Sequence, residues 1–446
     1  MSVGGIGGTA GSSSSNEILA GRRLGGVDPE DLAERFGTPL YVYDLDVVTR
    51  QVDALTAVLP PGFELAYAVK ANPALGVVGH LAGLGLGADV ASAGELETAQ
   101  RAGIPPERIV MTGPGKRDEE LRRAARAGLR AITVESPREL LRLERIACEE
   151  GRRVPILLRA ATSSRAPAER VRLVGTGGTG KFGMDPRDLL SSARHASRSP
   201  HLDLVGLHAF GASNVVDAAA LATHVATTMA TGRELARAAD FDLRLVDVGG
   251  GLGIPYQEGD TSLDLNEFGQ RLAMQADAWG TDRSVMPTVL FEPGRFLVGP
   301  AGAYVARVVD RKRGECGEIV ILDGGIHHAL RPALVGQPHR VILLGPEQTA
   351  AAVGPVTIAG PLCSGLDVIV ADVSMALPMP GDLLAILDLG AYGFTESMPL
   401  FLSHPIPAEI AIRDGTAAML RPRLEPHTWL DLQMLPVFGR ADRDEP

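Results

Sequence analysis

Between residues 63 and 295 the chain repeats one unit: a short β-rich run followed by a helical stretch bounded by glycine or proline. The runs are ELAYAVKAN, GADVAS, RIVMTG, RAITVES, RVPILLRA, DLVGLHAF, LRLVDVGG and TVLFEPGR, with helical patterns such as DEELRRAARAG and PRELLRLERIACEEG between them. Strands alternating with helices build a parallel sheet, and eight of them close into a TIM barrel, an α/β fold. Such a barrel collects its chemistry at the C-terminal ends of its strands, wherever those ends fall in the sequence.

From about residue 296 the long helices stop, and AYVARVVD, EIVILDGG, VTIAG, LLAILDLG and AEIAIRDG follow one another. That pattern predicts a mostly antiparallel β-sandwich domain. The strand-like segment Thr38 to Asp44 precedes the barrel and is expected to join the β-sandwich domain. The expected division is a disordered Gly/Ser-rich tail at 1–20, a barrel at 45–295, and a sandwich from 21–44 and 296–436.

A net charge of -11 over 446 residues argues against nucleic acid or an anionic membrane as the main partner. No apolar run approaches the roughly 20 residues that span a bilayer, and the start lacks the charged-then-apolar pattern of a secretory signal. A cytoplasmic enzyme is the expectation. Cys148, Cys316 and Cys363 are far apart and show no CxxC spacing, so neither a disulfide framework nor a metal site is expected.

The strand ends carry a suggestive set. Lys70 ends the apolar run FELAYAV, where burial would lower its pKa and leave an amine able to form a Schiff base with a carbonyl or with pyridoxal phosphate. The competing reading is a lysine that snorkels to the rim or pairs with a carboxylate. Asp89 ends the second run, Arg159 the fifth, and His208 and Phe210 the sixth. The seventh runs into Gly249-Gly250-Gly251, whose GGGLG turn lets backbone N–H groups cradle a phosphate, or simply makes a tight turn. The eighth ends at Glu292 and Arg295: Glu292 either keeps a pyridine nitrogen protonated or forms an ion pair with Arg295.

YAVKAN, GADVASAGE, GLH, VGGGLG, EPGR, GPLCSGLD and GAYG, in this order, resemble the fold-type III pyridoxal-phosphate decarboxylases, the family of diaminopimelate, ornithine and arginine decarboxylases. The resemblance covers roughly residues 36 to 412. It implies a TIM barrel (alanine racemase-like) with a β-sandwich domain, a homodimer sharing its active sites, and pyridoxal 5'-phosphate as cofactor. By position it implies that Lys70 carries the cofactor, Glu292 meets the pyridine nitrogen, and Gly250, Gly251, Ser213 and Tyr392 bind the phosphate beside Arg295. Asp89, Arg159, His208, Phe210 and Gly294 complete the cofactor-binding set. Cys363 matches the cysteine that, from the partner subunit, reprotonates the α-carbon, and Asp367 is placed to position its loop. Arg331, Asp323, Ser364 and Tyr392 fall at substrate-binding positions. Alanine racemases share the barrel but set an arginine against the ring nitrogen, so Glu292 favours loss of CO2 over racemisation.

Two residues depart from the pattern. Phe210 replaces a histidine that stacks on the cofactor, and Ser364 replaces the acidic residue that holds a distal ammonium group. Phe210 after GLH, DGGIHH at 323–328 and FLSHPIPAEI at 401–410 are similar to the branch of glutamyl-acyl-carrier-protein decarboxylase and the exosortase-associated decarboxylases. That branch implies an acidic amino acid tethered to an acyl carrier protein, of the L-glutamyl-thioester type, in a secondary-metabolite pathway. Arg331 points the other way, because it matches an arginine that grips the distal carboxylate of free diaminopimelate. His327 and His328 read as structural or cofactor-adjacent. A catalytically silent homologue that binds a partner is the alternative from another class, against which Lys70, Glu292 and Cys363 all speak.

Overall fold

The computed structural model describes residues 18–20, 22–162, 180–211, 213–280, 285–315, 317–345 and 352–436. Eight parallel strands close on themselves: Phe63–Ala68, Gly87–Val90, Ile109–Met111, Ala131–Val134, Val154–Arg159, Leu202–His208, Leu245–Asp247 and Thr288–Phe291, the last pairing back to the first. Ala66, Val110, Ala131, Leu157, Val205, Leu245 and Leu290 form one closed cluster, with each residue drawn from a different strand. A barrel interior filled by side chains is a packed core, with no pore through it.

The outer helices follow their sequence. In Pro137–Glu149, Ser136 caps the first turn by accepting from the Glu139 N–H, proline occupies the first helical position, and Leu140, Leu143, Ile146 and Ala147 bury one face. Truncating fully buried Leu143 to alanine there costs about 3 kcal/mol.

Nine of the other strands make a mostly antiparallel sheet organised on the long strand Gly302–Arg313. Leu40–Asp44 lies in this sheet, antiparallel to Gly302–Val305 and parallel to Ala408–Ile412. It is buried along its whole length. Tyr41 packs against Tyr304 with the rings tilted and their centroids 5.1 Å apart, and the Tyr43 hydroxyl donates to Glu409 at 2.8 Å.

Two expectations change. The tail expected at 1–20 lies outside the described residues up to 17, but its end is not loose. Ile18 is only 1 % exposed, in a cluster with Leu24 and Leu32, and Leu19–Ala20 pairs with Arg23–Leu24. Burial of one isoleucine and a two-residue ladder hold this end in place. The strand expected to carry Lys70 stops at Ala68, and Val69–Ala71 is a single turn of 3₁₀ helix. Of the cysteines, Cys148 and Cys363 are free and exposed, and Cys316 lies outside the described residues.

Candidate active site

Register brings the strand ends into line. Asp89 sits beside Ala68, His208 beside both Arg159 and Asp247, and Asp247 beside Leu290, two residues before Glu292. The turn bearing Lys70 is clamped from both sides. Asn72 donates from its side-chain amide to the Gly390 carbonyl at 3.0 Å, and the Tyr392 N–H donates to the Ala71 carbonyl at 2.8 Å. KAN and GAYG thus meet in one contact between barrel and sheet.

Lys70 is not a buried free amine. Its side chain is 45 % exposed, into a cavity of about 290 Å³, and its Nζ donates to Asp89 Oδ2 at 2.8 Å. Burial pulls the ammonium down, but Asp89 and then Glu292 outweigh it and hold Lys70 above the ordinary lysine value. The expectation of a lowered pKa is therefore corrected, because a carboxylate waits in the neighbouring strand. Asp89 accepts a second hydrogen bond from the Thr112 hydroxyl.

The glycine turn lies behind the cavity wall. A Cβ on Gly250 would stand 2.3 Å from the Glu292 carbonyl oxygen, so only glycine lets the turn pass the end of the eighth strand. The Glu292 N–H donates to the Gly249 carbonyl at 2.9 Å, tying the two ends together. Arg295 does not pair with Glu292: its guanidinium donates to the Tyr256 hydroxyl and, at 3.2 Å, to Ser213 Oγ. Glu292 is 4 % exposed, lies 3.6 Å from His208 Nε2, and leaves Oε1 without a partner. Burial, then Arg159, pushes the His208 ring well below the ordinary histidine value, so it is neutral.

Lys70, Arg159, His208, Phe210, Ser213, Glu292, Arg295, Arg331 and Tyr392 all line this cavity. Asp89, Gly250, Gly251 and Gly294 stand behind it. Asp323 is elsewhere, accepting from Thr38 at 2.5 Å and from the Arg307 N–H. Cys363 and Ser364 are on a surface loop outside the cavity, and Asp367 pins that loop by accepting from Leu362 N–H and Ile326 N–H, each at 2.8 Å. His327 and His328 are buried beneath it with ring centroids 3.7 Å apart.

Four cavity neighbours escaped the sequence reading. Tyr256 holds Arg295, Glu135 pairs with Arg159 at 2.6 Å, Phe182 lies 4.6 Å from the Arg159 guanidinium carbon, and Glu396 pairs with Arg331 at 2.7 Å. Asp247, a fifth residue missed, stands two residues before the glycine run, and that nearness was its one visible signal.

A primary amine, a nearly dry carboxylate, and a buried guanidinium hydrogen-bonded only to hydroxyl groups face one space. That donor set fits a phosphorylated pyridine aldehyde: amine to carbonyl, carboxylate to ring nitrogen, guanidinium and hydroxyl to phosphate. Fold and site together define a barrel enzyme that works through pyridoxal phosphate. Comparison with known proteins narrows this. Residues 45–299 match the family described as pyridoxal-dependent decarboxylase, pyridoxal binding domain. L-glutamyl-[BtrI acyl-carrier protein] decarboxylase of Niallia circulans is 31 % identical over 401 residues, covering 87 % of this chain and 92 % of that protein. Diaminopimelate decarboxylase of Aquifex aeolicus is 32 % identical over 399 residues, covering 89 % and 92 %. A crystal structure of diaminopimelate decarboxylase from M. jannaschi superposes with a TM-score of 0.87 at 28 % identity, covering 95 % of this chain and 99 % of that one. The chain belongs to the pyridoxal-dependent decarboxylases: it is a carboxy-lyase that uses pyridoxal 5'-phosphate to decarboxylate an amino acid. Among the described residues no helix is long and apolar enough to cross a membrane.

Proposed function

We propose that the substrate is an acidic amino acid tethered through a thioester to an acyl carrier protein, of the L-glutamyl type. The observation that carries this is the Arg331–Glu396 pair. At 2.7 Å and with Arg331 only 4 % exposed, the one arginine positioned to grip a distal carboxylate is already neutralised by its own chain. Ser364 supplies no carboxylate for a distal ammonium either, so both charged ends of a free diamino dicarboxylic acid lack a partner. A thioester-linked glutamyl group has neither end. The 31 % identical protein whose name specifies such a substrate supports the same reading.

Bound pyridoxal phosphate supplies the electron sink for the bond that CO2 leaves. Around it, Lys70 provides the covalent anchor, Glu292 holds the ring nitrogen protonated, and Arg295 with Ser213 receives the phosphate. Phe210 and His208, which line the same cavity, would help exclude water from it. Cys363 is exposed and outside its own chain's cavity, so we assign it to the cavity of a second copy in a homodimer, where it returns a proton to the α-carbon. Residues 45–295 form the cofactor-binding unit, with 21–44 and 296–436 forming the sheet unit.

Decarboxylation of free diaminopimelate is the second reading, and one observation favours it: Arg331 does line the cavity. CO2 release from a panel of free amino acids, assayed beside glutamyl-loaded carrier protein, decides. Turnover confined to the carrier-bound substrate is expected, and turnover of free diaminopimelate alone removes the tethered reading.

A further inference from the structure

His208 and Asp247 end two neighbouring barrel strands and Glu292 directly follows the end of the next, and one donor or acceptor atom from each lies within 4.8 Å of the other two. All three are buried, Asp247 completely. Asp247 Oδ1 accepts from the Gly249 N–H at 2.9 Å, but Asp247 Oδ2 and Glu292 Oε1 have no partner. Two ionised carboxylates cannot share so dry a place without a neutralising charge. The neighbouring cations are committed: Lys70 to Asp89, Arg159 to Glu135, and Arg295 to Tyr256 and Ser213. His208 is neutral, and Asp89, the remaining acid nearby, adds only repulsion.

We infer that Asp247 is protonated and donates its proton from Oδ2 to Glu292 Oε1, which makes Asp247 a positioning residue for the carboxylate that faces the cofactor. Asp247 holds the proton because Glu292 lines the cavity and Asp247 does not. Burial, then the charge of Glu292, also pushes the Asp247 carboxyl well above its ordinary value. The bond leaves Glu292 a single anion, fixed in orientation, with its other oxygen free to receive a ring N–H. No net proton transfer is needed.

The role toward the cofactor rests on placing Glu292 at the ring nitrogen; the proton itself does not. Infrared spectroscopy of the purified full chain without cofactor therefore tests the proton separately. The carbonyl band of a buried carboxylic acid is expected at neutral pH, and it should vanish in Asp247→Asn. Absence of the band, or its survival in Asp247→Asn, overturns the inference. So does a divalent metal in the purified chain that a chelator removes, because it would neutralise the cluster instead. Cofactor titration by absorbance tests the positioning. Asp247→Asn keeps an N–H donor for Glu292 and should bind cofactor within about threefold of wild type, whereas Asp247→Ala should bind roughly tenfold to a hundredfold more weakly. Equal affinity in Asp247→Ala overturns the positioning role even if the proton is present.

Discussion

Lys70 Nζ donates to Asp89 Oδ2 at 2.8 Å, so in the absence of cofactor the amine that must attack a carbonyl is held as an ammonium. Only the deprotonated amine is a nucleophile. Asp89→Asn removes the largest charge that raises the Lys70 pKa, so free amine should appear at lower pH. The rate at which added cofactor attaches, followed by its visible band, should reach half-maximum about 1 pH unit or more below the wild-type midpoint. An unmoved midpoint would show that Asp89 does not control the amine. Lys70→Ala should abolish the attached band altogether.

Glu292 and Lys70 have separable jobs. In Glu292→Gln the Lys70 amine is still present, and losing a neighbouring negative charge only eases its deprotonation, so the visible band of attached cofactor should persist, but a neutral amide cannot keep the ring nitrogen protonated. Release of CO2 should fall by on the order of 10²-fold or more. A variant with near-normal turnover would remove Glu292 from the ring nitrogen.

The barrel was legible because each strand is a short apolar run and several of the intervening helices carry their own start signals, as Ser136-Pro137 does. Lys70, Glu292 and Arg295 were legible as residue types at strand ends, where the fold puts chemistry. Their charge states were not. The pairing of Lys70 with Asp89 depends on lateral register between two strands, and that of Arg331 with Glu396 spans 65 residues. Nor does sequence spacing place Cys363 outside its own cavity, since that follows from how Asp367 folds its loop.

Gly250 is the tightest point of the Gly249–Gly251 turn. Gly250→Ala drives a methyl group into the Glu292 carbonyl oxygen, and backbone cannot yield as a flexible side chain can. The end of the eighth strand must shift, at a cost of about 1–3 kcal/mol in stability. Thermal unfolding and cofactor titration should both register it, with cofactor binding weakened through the displaced Glu292. Retention of both would show that the turn has slack.

If Glu396 neutralises Arg331, removing its charge should open a carboxylate site. Glu396→Gln should bind a small free dicarboxylate such as glutarate at least about tenfold more tightly than wild type, read as competitive inhibition, because a charge-assisted pair is worth about 1.5–3 kcal/mol. The double variant Arg331→Ala, Glu396→Gln should lose that gain. Equal inhibition of all three would place the dicarboxylate elsewhere.

His339 gives a pH signature of stability independent of catalysis. It is buried against Tyr256, its Nδ1 lies 2.8 Å from the Leu387 carbonyl, and burial, reinforced by Arg331, Arg295 and Arg340, pushes its ring down to about 4. The unfolded chain takes up this proton near the ordinary value of 6.5, whereas the folded chain does so only near 4. The contribution of His339 to stability is therefore complete above about pH 6.5 and is lost as pH falls toward about 4, by about 3 kcal/mol in all. His339→Asn keeps a donor for the Leu387 carbonyl and cannot titrate. Denaturant unfolding of the two proteins should give curves of stability against pH that converge as the pH drops through this window, and curves that stay parallel would show that the His339 proton is not linked to folding.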